Sequence, residues 1–392
     1  MTTDTTNNTL SETRFHAASA EGAEWAQVVR ACLDKLGDVT GCNLGILYVS
    51  DALSGDAAHI LKLLRGTTGI RDWVGTVGIG VLGAGVEHFD RPAIAVMAAR
   101  LPESAFRVFP TVDGDLEPMR RAAGGWLDRH GASLGLVHAD PRNQRLADLV
   151  GSVAESTGAF LVGGLTSSRG DHFPQFAPPA STATGTEGPV SEGGLSGVLF
   201  APEVALATKL TQGCTPIGPP RTITACEDNV ILEIDGRPAL DVFKEDIGEE
   251  LARDLRQVAG AIFAGLPIPG SDTGDYMVRD LVAIDPRTGW IAIGERVETG
   301  KPVLFARRDR PSAEADMARM LANLKKRLPG PPKGGVYVSC IARGPNLFGS
   351  DSEELKMIHA ALGDFPLVGF FGAGEISHNR LYGYTGVLTL FV

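Results

Sequence analysis

The chain has 392 residues, 36 Lys and Arg against 47 Asp and Glu, and 49 glycines, the last nearly twice the roughly 7% average usage. The glycines follow no three-residue period and 43% of residues are hydrophobic, which excludes collagen and wholesale disorder. A net charge of −11 excludes a phosphate-binding surface of the kind nucleic acids require, because that needs clustered Lys and Arg.

In chain order, the opening residues MTTDTTNNTL lack a basic region followed by an apolar stretch, so no signal peptide is expected. Residues 1–20 are expected to form a disordered tail. Trp25, Val28, Val29, Cys32 and Leu36 make one helical stripe. Three segments then share one order of events: a β-rich strand, an amphipathic helix, a strand ending in Val-Gly that enters a glycine-rich turn, and a further apolar strand. They start at Gly45-Ile46-Leu47-Tyr48, Gly135-Leu136-Val137-His138 and Gly335-Val336-Tyr337-Val338, and their Val-Gly pairs are Val74-Gly75, Val162-Gly163 and Val368-Gly369. Leu47 to Val74, Val137 to Val162 and Val338 to Val368 span 27, 25 and 30 residues. The helices between them fall near 55–65, 143–156 and 352–362, the last with Asp351 as N-cap and Glu354 three residues on.

The middle segment is longer by residues 170–194, which are rich in Pro, Gly, Ser and Thr and predict a flexible insert. Between the second and third segments, about 205–330, short alternating runs separated by Asp235-Gly236 and Asp285-Pro286 predict a hairpin-rich region with helices at about 238–264 and 312–327. The fold class expected is therefore α/β, repeated strand–helix–strand–strand units forming sheets flanked by helices, with a hairpin-rich α+β region in the middle. No apolar run of about 18 residues occurs, so no membrane span is expected. The five cysteines are odd in number and widely spaced, which fits reduced thiols in a cytoplasm.

Ligands of parallel sheets sit at the carboxyl ends of strands. The three equivalent ends carry Ser50, Asp140 and Ser339-Cys340. The third turn adds Gly372-Ala373-Gly374-Glu375, an acid placed on the bend to hold an ammonium group or to pair with Arg343. Arg343 suits a carboxylate clamp or an ion pair, and Arg169 in the second turn is of the same kind. Cys340 is either a reactive thiol, the basis of an alternative reading as a cysteine-dependent enzyme, or a small buried hydrophobe. The string Gly78-Ile79-Gly80-Val81-Leu82-Gly83 matches a dinucleotide fingerprint, but the residues after it are too short and broken for the required helix.

Gln212-Gly213-Cys214-Thr215-Pro216-Ile217-Gly218, Asn229 and Gly236-Arg237-Pro238-Ala239-Leu240, followed by Ser339-Cys340-Ile341-Ala342-Arg343-Gly344, Leu347-Phe348-Gly349 and Gly369 to Ile376, together resemble the FIST C domain. Residues from about 30 to 205 are similar in layout to FIST N. Their first turn, Val74-Gly75-Thr76-Val77-Gly78-Ile79-Gly80, lacks the family's usual cysteine and Gly-Glu pair. The resemblance implies a FIST N-like domain at 21–205 and a FIST C-like domain at 206–392. It also implies a non-enzymatic cytoplasmic sensory module that binds a small ligand, such as an amino acid or related metabolite, and signals through a separate partner such as a kinase or cyclase. Expected ligand contacts are Ser50, Asp140, Arg169, Ser339, Cys340, Arg343, Gly372, Gly374 and Glu375, with no cofactor and no metal. Some relatives bind haem and sense nitric oxide. In that alternative, haem would take His138, His172 or His378 as its axial ligand.

Overall fold

The computed structural model describes residues 13–179, 181–182, 185–186, 189–268 and 276–392. The chain forms two compact units, one of residues 1–210, 320–381 and 385–392, the other of residues 211–319 and 382–384.

The first unit is built from three copies of one motif, each with the order strand, helix, strand, helix, strand, two-stranded arm, strand. The first copy comprises β1 (Arg14–Glu21), α1 (Trp25–Leu36), β2 (Leu44–Ser50), α2 (Ala57–Thr68), β3 (Asp72–Gly78), the arm β4 (Gly80–Gly83) and β5 (Val86–Phe89), and β6 (Ala93–Arg100). The second has β7 (Phe106–Val112), α3 (Glu117–His130), β8 (Leu134–Ala139), α4 (Leu146–Thr157), β9 (Phe160–Leu165), the arm β10 (Gln175–Phe176) and β11 (Val190–Ser191), and β12 (Leu195–Phe200). The third opens with β13 (Leu206–Thr211). After most of the second unit, with its helix α5 (Ala239–Ala252), it resumes with α6 (Arg310–Lys325), whose residues 310–319 fall in the second unit, β14 (Gly334–Cys340), α7 (Glu353–Leu362), β15 (Leu367–Gly372), the arm β16 (Glu375–Ser377) and β17 (Arg380–Tyr382), and β18 (Gly386–Phe391).

Each copy founds a six-stranded sheet, and each arm leaves its own sheet for the next. The sheet orders are β1-β6-β2-β3-β10-β11, β7-β12-β8-β9-β16-β17 and β13-β18-β14-β15-β4-β5. The arm of the first copy thus completes the third sheet, that of the second completes the first, and that of the third completes the second. In every sheet the two central strands are parallel, as a crossover helix requires. Strand alternation then divides the side chains. Ile46, Tyr48, Leu136, Val336, Val338 and Phe370 enter one buried core common to the three sheets. Leu47 and Val49 face the outward side with Val29, Ile60 and Leu64 of α1 and α2, and Val137 does so with Met119 and Val153 of α3 and α4.

The Val-Gly glycine occupies one register in all three copies, Gly75 opposite Leu47, Gly163 opposite Val137 and Gly369 opposite Tyr337. A Cβ there would lie 1.8, 1.8 and 1.7 Å from the carbonyl oxygen of that partner, so only glycine fits.

The second unit closes a ring of strands in the order Pro302–Arg307, Arg221–Glu227, Val230–Ile234, Trp290–Ile293, Tyr276–Asp285 and Ile262–Pro267, the last pairing back to the first. Ile223, Ile231, Ile262, Ile291 and Phe305 fill it together with Phe243 and Ile247 of α5.

The mixed α/β class and the hairpin-rich middle region agree with the sequence reading, while three local expectations are corrected. Residues 14–20 are not a disordered tail: β1 pairs with β6 at the edge of the sheet, Phe15 facing the common core and Ala18 and Ala20 the outward side; residues 1–12 lie outside the described residues. The 170–194 insert is anchored in its described part, residues 180, 183–184 and 187–188 lying outside the described residues. Gln175 and Phe176 are fully buried against β3, and the Gln175 side chain donates to Gly194 O (2.8 Å) and accepts from Ser196 Oγ (2.8 Å). The helix expected over 238–264 ends at Ala252, with Gly248 already non-helical at φ 82°, because Ile262–Pro267 is the strand that closes the ring. α3 is a helix beyond those expected from periodicity.

Substitution of Ala for Gly75, Gly163 or Gly369 should each cost more than about 4 kcal/mol in urea unfolding or leave the protein insoluble. In contrast, Gly66→Ala, inside α2 with open space around it, should be neutral or gain about 0.5–1 kcal/mol.

Candidate functional site

The carboxyl end of β14 gathers several buried polar side chains, Ser339, Arg343, Glu354, Glu375 and Thr385. Tyr337 and Ser339 alternate onto the face of β14 that meets α7, and α7 presents Glu354 to them, one turn before Ile358 on the same stripe. The Glu354 carboxylate is fully buried and accepts five hydrogen bonds. Its Oε1 takes Tyr337 Oη (2.7 Å), Arg343 Nε (3.0 Å) and Arg343 Nη2 (2.8 Å), and its Oε2 takes Ser339 Oγ (2.9 Å) and Gly344 N (2.9 Å). Arg343 is fully buried too, and its guanidinium lies 4.9 Å from the Phe348 ring centroid. Desolvation opposes its charge, but Tyr337 and Glu354 hold its pKa above the ordinary value.

Two carboxyl groups border this ion pair. Glu375, at the start of β16, is fully buried. Its Oε2 accepts from Thr385 N (3.0 Å) and Thr385 Oγ1 (2.7 Å). Burial pushes its pKa up to about 8, against the opposing pull of the Thr385 bonds, the Arg343 charge and the Cys340 thiol. Glu87, delivered by the arm of the first copy, accepts from Leu355 N at 3.2 Å, and its own N–H donates to Ser352 Oγ (3.0 Å). Burial and the neighbouring Glu354 charge push Glu87 up to about 8 as well. Three buried polar atoms here have no hydrogen-bond partner among the described residues: Arg343 Nη1, Glu375 Oε1 and Glu87 Oε2. Such atoms are costly unless something meets them.

The structure thus brings Ser339, Cys340, Arg343 and Glu375 to one place. Arg343 is an ion pair, with Glu354 rather than Glu375. The N-cap expected at Asp351 is corrected: Ser352 holds that position at φ 55° with no side-chain cap, Asp351 pairs with Lys356, and Glu354 turns inward. Gly372 and Gly374 are buried, and their carbonyls accept from Ile341 N and Leu165 N. Cys340 is 6% exposed. The other two strand ends are occupied by the protein itself. Ser50 Oγ accepts from Ala93 N (2.9 Å). Asp140 is buried, and although burial works against ionisation, hydrogen bonds from Arg142 and Gly193 hold its pKa below the usual range. Arg169 grips Asp51 through Nε and Nη2 (2.8 and 2.7 Å) and also meets Asp90.

The three histidines are scattered. His138 is fully buried, bonded through Nε2 to Tyr48 Oη (3.0 Å) and packed against Phe370; burial drives its pKa down to about 3. His172 is exposed beside Glu192, and His378 stacks on Phe160 at the rim of a polar cleft shared with Ser133 and Glu155. The three haem candidates thus lie in different surroundings, His138 in the buried core, His172 exposed and His378 at a polar cleft.

Family models match this layout along most of the chain, FIST N over residues 43–237 and FIST C over residues 239–378. The chain belongs to the FIST family. FIST domains are small-ligand sensory modules in signalling. The chain is 32% identical over 369 residues to an uncharacterized protein of Mycobacterium tuberculosis, covering 89% of this chain and 91% of that one. It is 30% identical over 371 residues to an uncharacterized protein of Mycobacterium bovis, covering 89% and 90%. Among the described residues, no helix is long and apolar enough to cross a membrane.

Glu354, Glu87, Tyr337 and Thr385 were not among the sequence candidates. The one legible signal was Glu354, an acid on the core-facing stripe of a helix. Glu87 comes from the exchanged arm of another copy, which local periodicity does not report.

Removing one member of the buried pair leaves the other uncompensated, so Arg343→Met should destabilise by about 3–5 kcal/mol. Arg343→Met with Glu354→Leu should cost clearly less than the sum of the single changes. Glu375 carries a separate pH signature. Its folded pKa lies above its ordinary value of 4.5, so the folded chain holds the proton more tightly. Its contribution is therefore complete below pH 4.5 and is lost as pH rises toward 8. Glu375→Gln should remove up to about 1.4 kcal/mol per pH unit from the fall in unfolding free energy across that window, measured as the difference from wild type.

Proposed function

We propose that this protein is a cytoplasmic receptor for a small zwitterionic metabolite, an amino acid or a close relative, that passes binding on to a separate signalling protein such as a kinase or cyclase. One observation carries this reading beyond the family's general role: the cationic Arg343 Nη1 and the carboxyl Glu375 Oε1, both buried and both without a hydrogen-bond partner among the described residues, near the end of β14. A carboxylate answers the first and an ammonium group the second. Ser339, Cys340, Gly372 and Gly374 surround the same point. Because both atoms are buried, entry requires the segment 341–346 to part from Phe371, against whose ring Gly344 packs at φ +51°. That opening would supply the conformational change a sensor transmits. In this reading Ser50 and Asp140 act as struts within their own copies and Arg169 ties the second copy to the first, since their polar groups are already engaged. Cys340, buried and beside a carboxyl group, serves as wall rather than nucleophile.

A thermal-shift screen of amino acids and related metabolites tests the proposal. A ligand at 100 times its Kd stabilises the fold by about 2.7 kcal/mol; no shift with any of them at millimolar concentration contradicts it. The protonated Glu375 must ionise to hold an ammonium group, so affinity should rise up to about tenfold per pH unit between pH 6 and 8 and level off above. Titration calorimetry in buffers of different ionisation enthalpy should find one proton released per ligand at pH 6.5. In Glu375→Gln both effects should vanish and affinity should fall at least tenfold.

A further inference from the structure

A second candidate site lies at the other end of the same three-sheet core. There a cavity of about 480 Å³ opens, a size typical of small-ligand pockets. All three copies build it. Leu101 follows β6, Ala105 precedes β7, Val204 follows β12, and Phe391 ends β18. Phe391 and Leu101 belong to the common core, and Val204 packs against it, so the cavity continues the core rather than lying on a surface face. Two charged side chains stand at its exposed rim, Lys333 immediately before β14 and Glu203. The Lys333 ammonium donates to Val392 O at 3.1 Å, and an ammonium has three donors.

We infer that this cavity binds an apolar chain carrying a single carboxylate, the chain in the core opening and the carboxylate on Lys333. The apolar walls favour a hydrocarbon body. The Lys333 cation at the rim selects an anionic head, and the Glu203 carboxylate lining the same cavity disfavours a doubly charged one such as a phosphate monoester. The site is independent of the amino-acid reading: Lys333 and Cys340 stand at opposite ends of β14 and its near neighbour, and none of the residues named for one appears in the other.

Decanoate is the probe, titrated below its micellar range by calorimetry and compared with decanol and decyl phosphate. Decanoate should bind at one site at least tenfold more tightly than either comparator. Lys333→Gln should bring decanoate down to the level of decanol, and Glu203→Gln should tighten decanoate about threefold. Both residues are exposed, and both variants are to be used only if they retain the wild-type circular dichroism and melting transition. Val204→Trp, if it retains the wild-type circular dichroism and melting transition, should abolish binding by filling the space. The inference is overturned if decanoate shows no binding at millimolar concentration, if decanol binds equally well, or if Lys333→Gln leaves decanoate affinity unchanged. An amino-acid response that persists in Lys333→Gln is expected, since that site lies elsewhere.

Discussion

The first unit depends on three glycines that bring backbone against backbone. At Gly75, Gly163 and Gly369 the carbonyl oxygen of the neighbouring parallel strand occupies the place a Cβ would take. Each of these strands then ends in a turn whose arm crosses to another sheet. Because the arms are exchanged in a closed cycle, each sheet is completed by a different copy, and no copy finishes its own hydrogen bonding. The large glycine content of the chain is explained in part by this requirement and by the close approach of the turns, where Gly78 and Gly80 abut Phe371 and Gly164 abuts Val338 and Gly374.

The same exchange explains why the polar chemistry concentrates at one of three equivalent ends. At the first two ends the chain satisfies itself, Arg169 closing on Asp51 and Arg142 on Asp140. At the third, Arg343 and Glu354 neutralise one another, and the arms contribute two further carboxyl groups, Glu375 from the third copy's own turn and Glu87 from the first copy. Four ionisable groups in a dry environment with one cation cannot all be charged. Burial accordingly holds Glu375 and Glu87 in the protonated form near neutral pH, and leaves donors and acceptors facing one another's surroundings with bonds unmade. This is an arrangement whose free energy a charged ligand can change.

Repetition was the legible part of the sequence, because strand alternation, the Val-Gly signature and helix periodicity are local and recur at similar spacings. The hairpin-rich character of the region between the second and third copies was legible for the same reason. What local patterns did not report was where strands go after they form. Gln175 and Phe176 sit in a Pro-, Gly- and Ser-rich stretch and gave no periodic signal, yet they are an arm strand in another copy's sheet. Half of Arg14–Glu21 is Ala and Ser, and it reads as an edge strand only once β6 is beside it. At the site, Ser339, Cys340, Arg343 and Glu375 were found from their places in the repeat, whereas Glu354 looked like a capping residue, because a glutamate near a helix start has that ordinary use on a solvent-facing helix. Its partners are set by β14 and by a loop ten residues away, which a one-dimensional reading does not bring together.

The most direct test of the central claim is a crystal structure of the protein grown with the amino acid or related metabolite that gives the largest melting shift. Ligand density is expected at the end of β14, with its carboxylate on Arg343 Nη1, its ammonium on Glu375 Oε1 and the 341–346 segment displaced. Density bound elsewhere, with Arg343 and Glu375 unchanged, would contradict it.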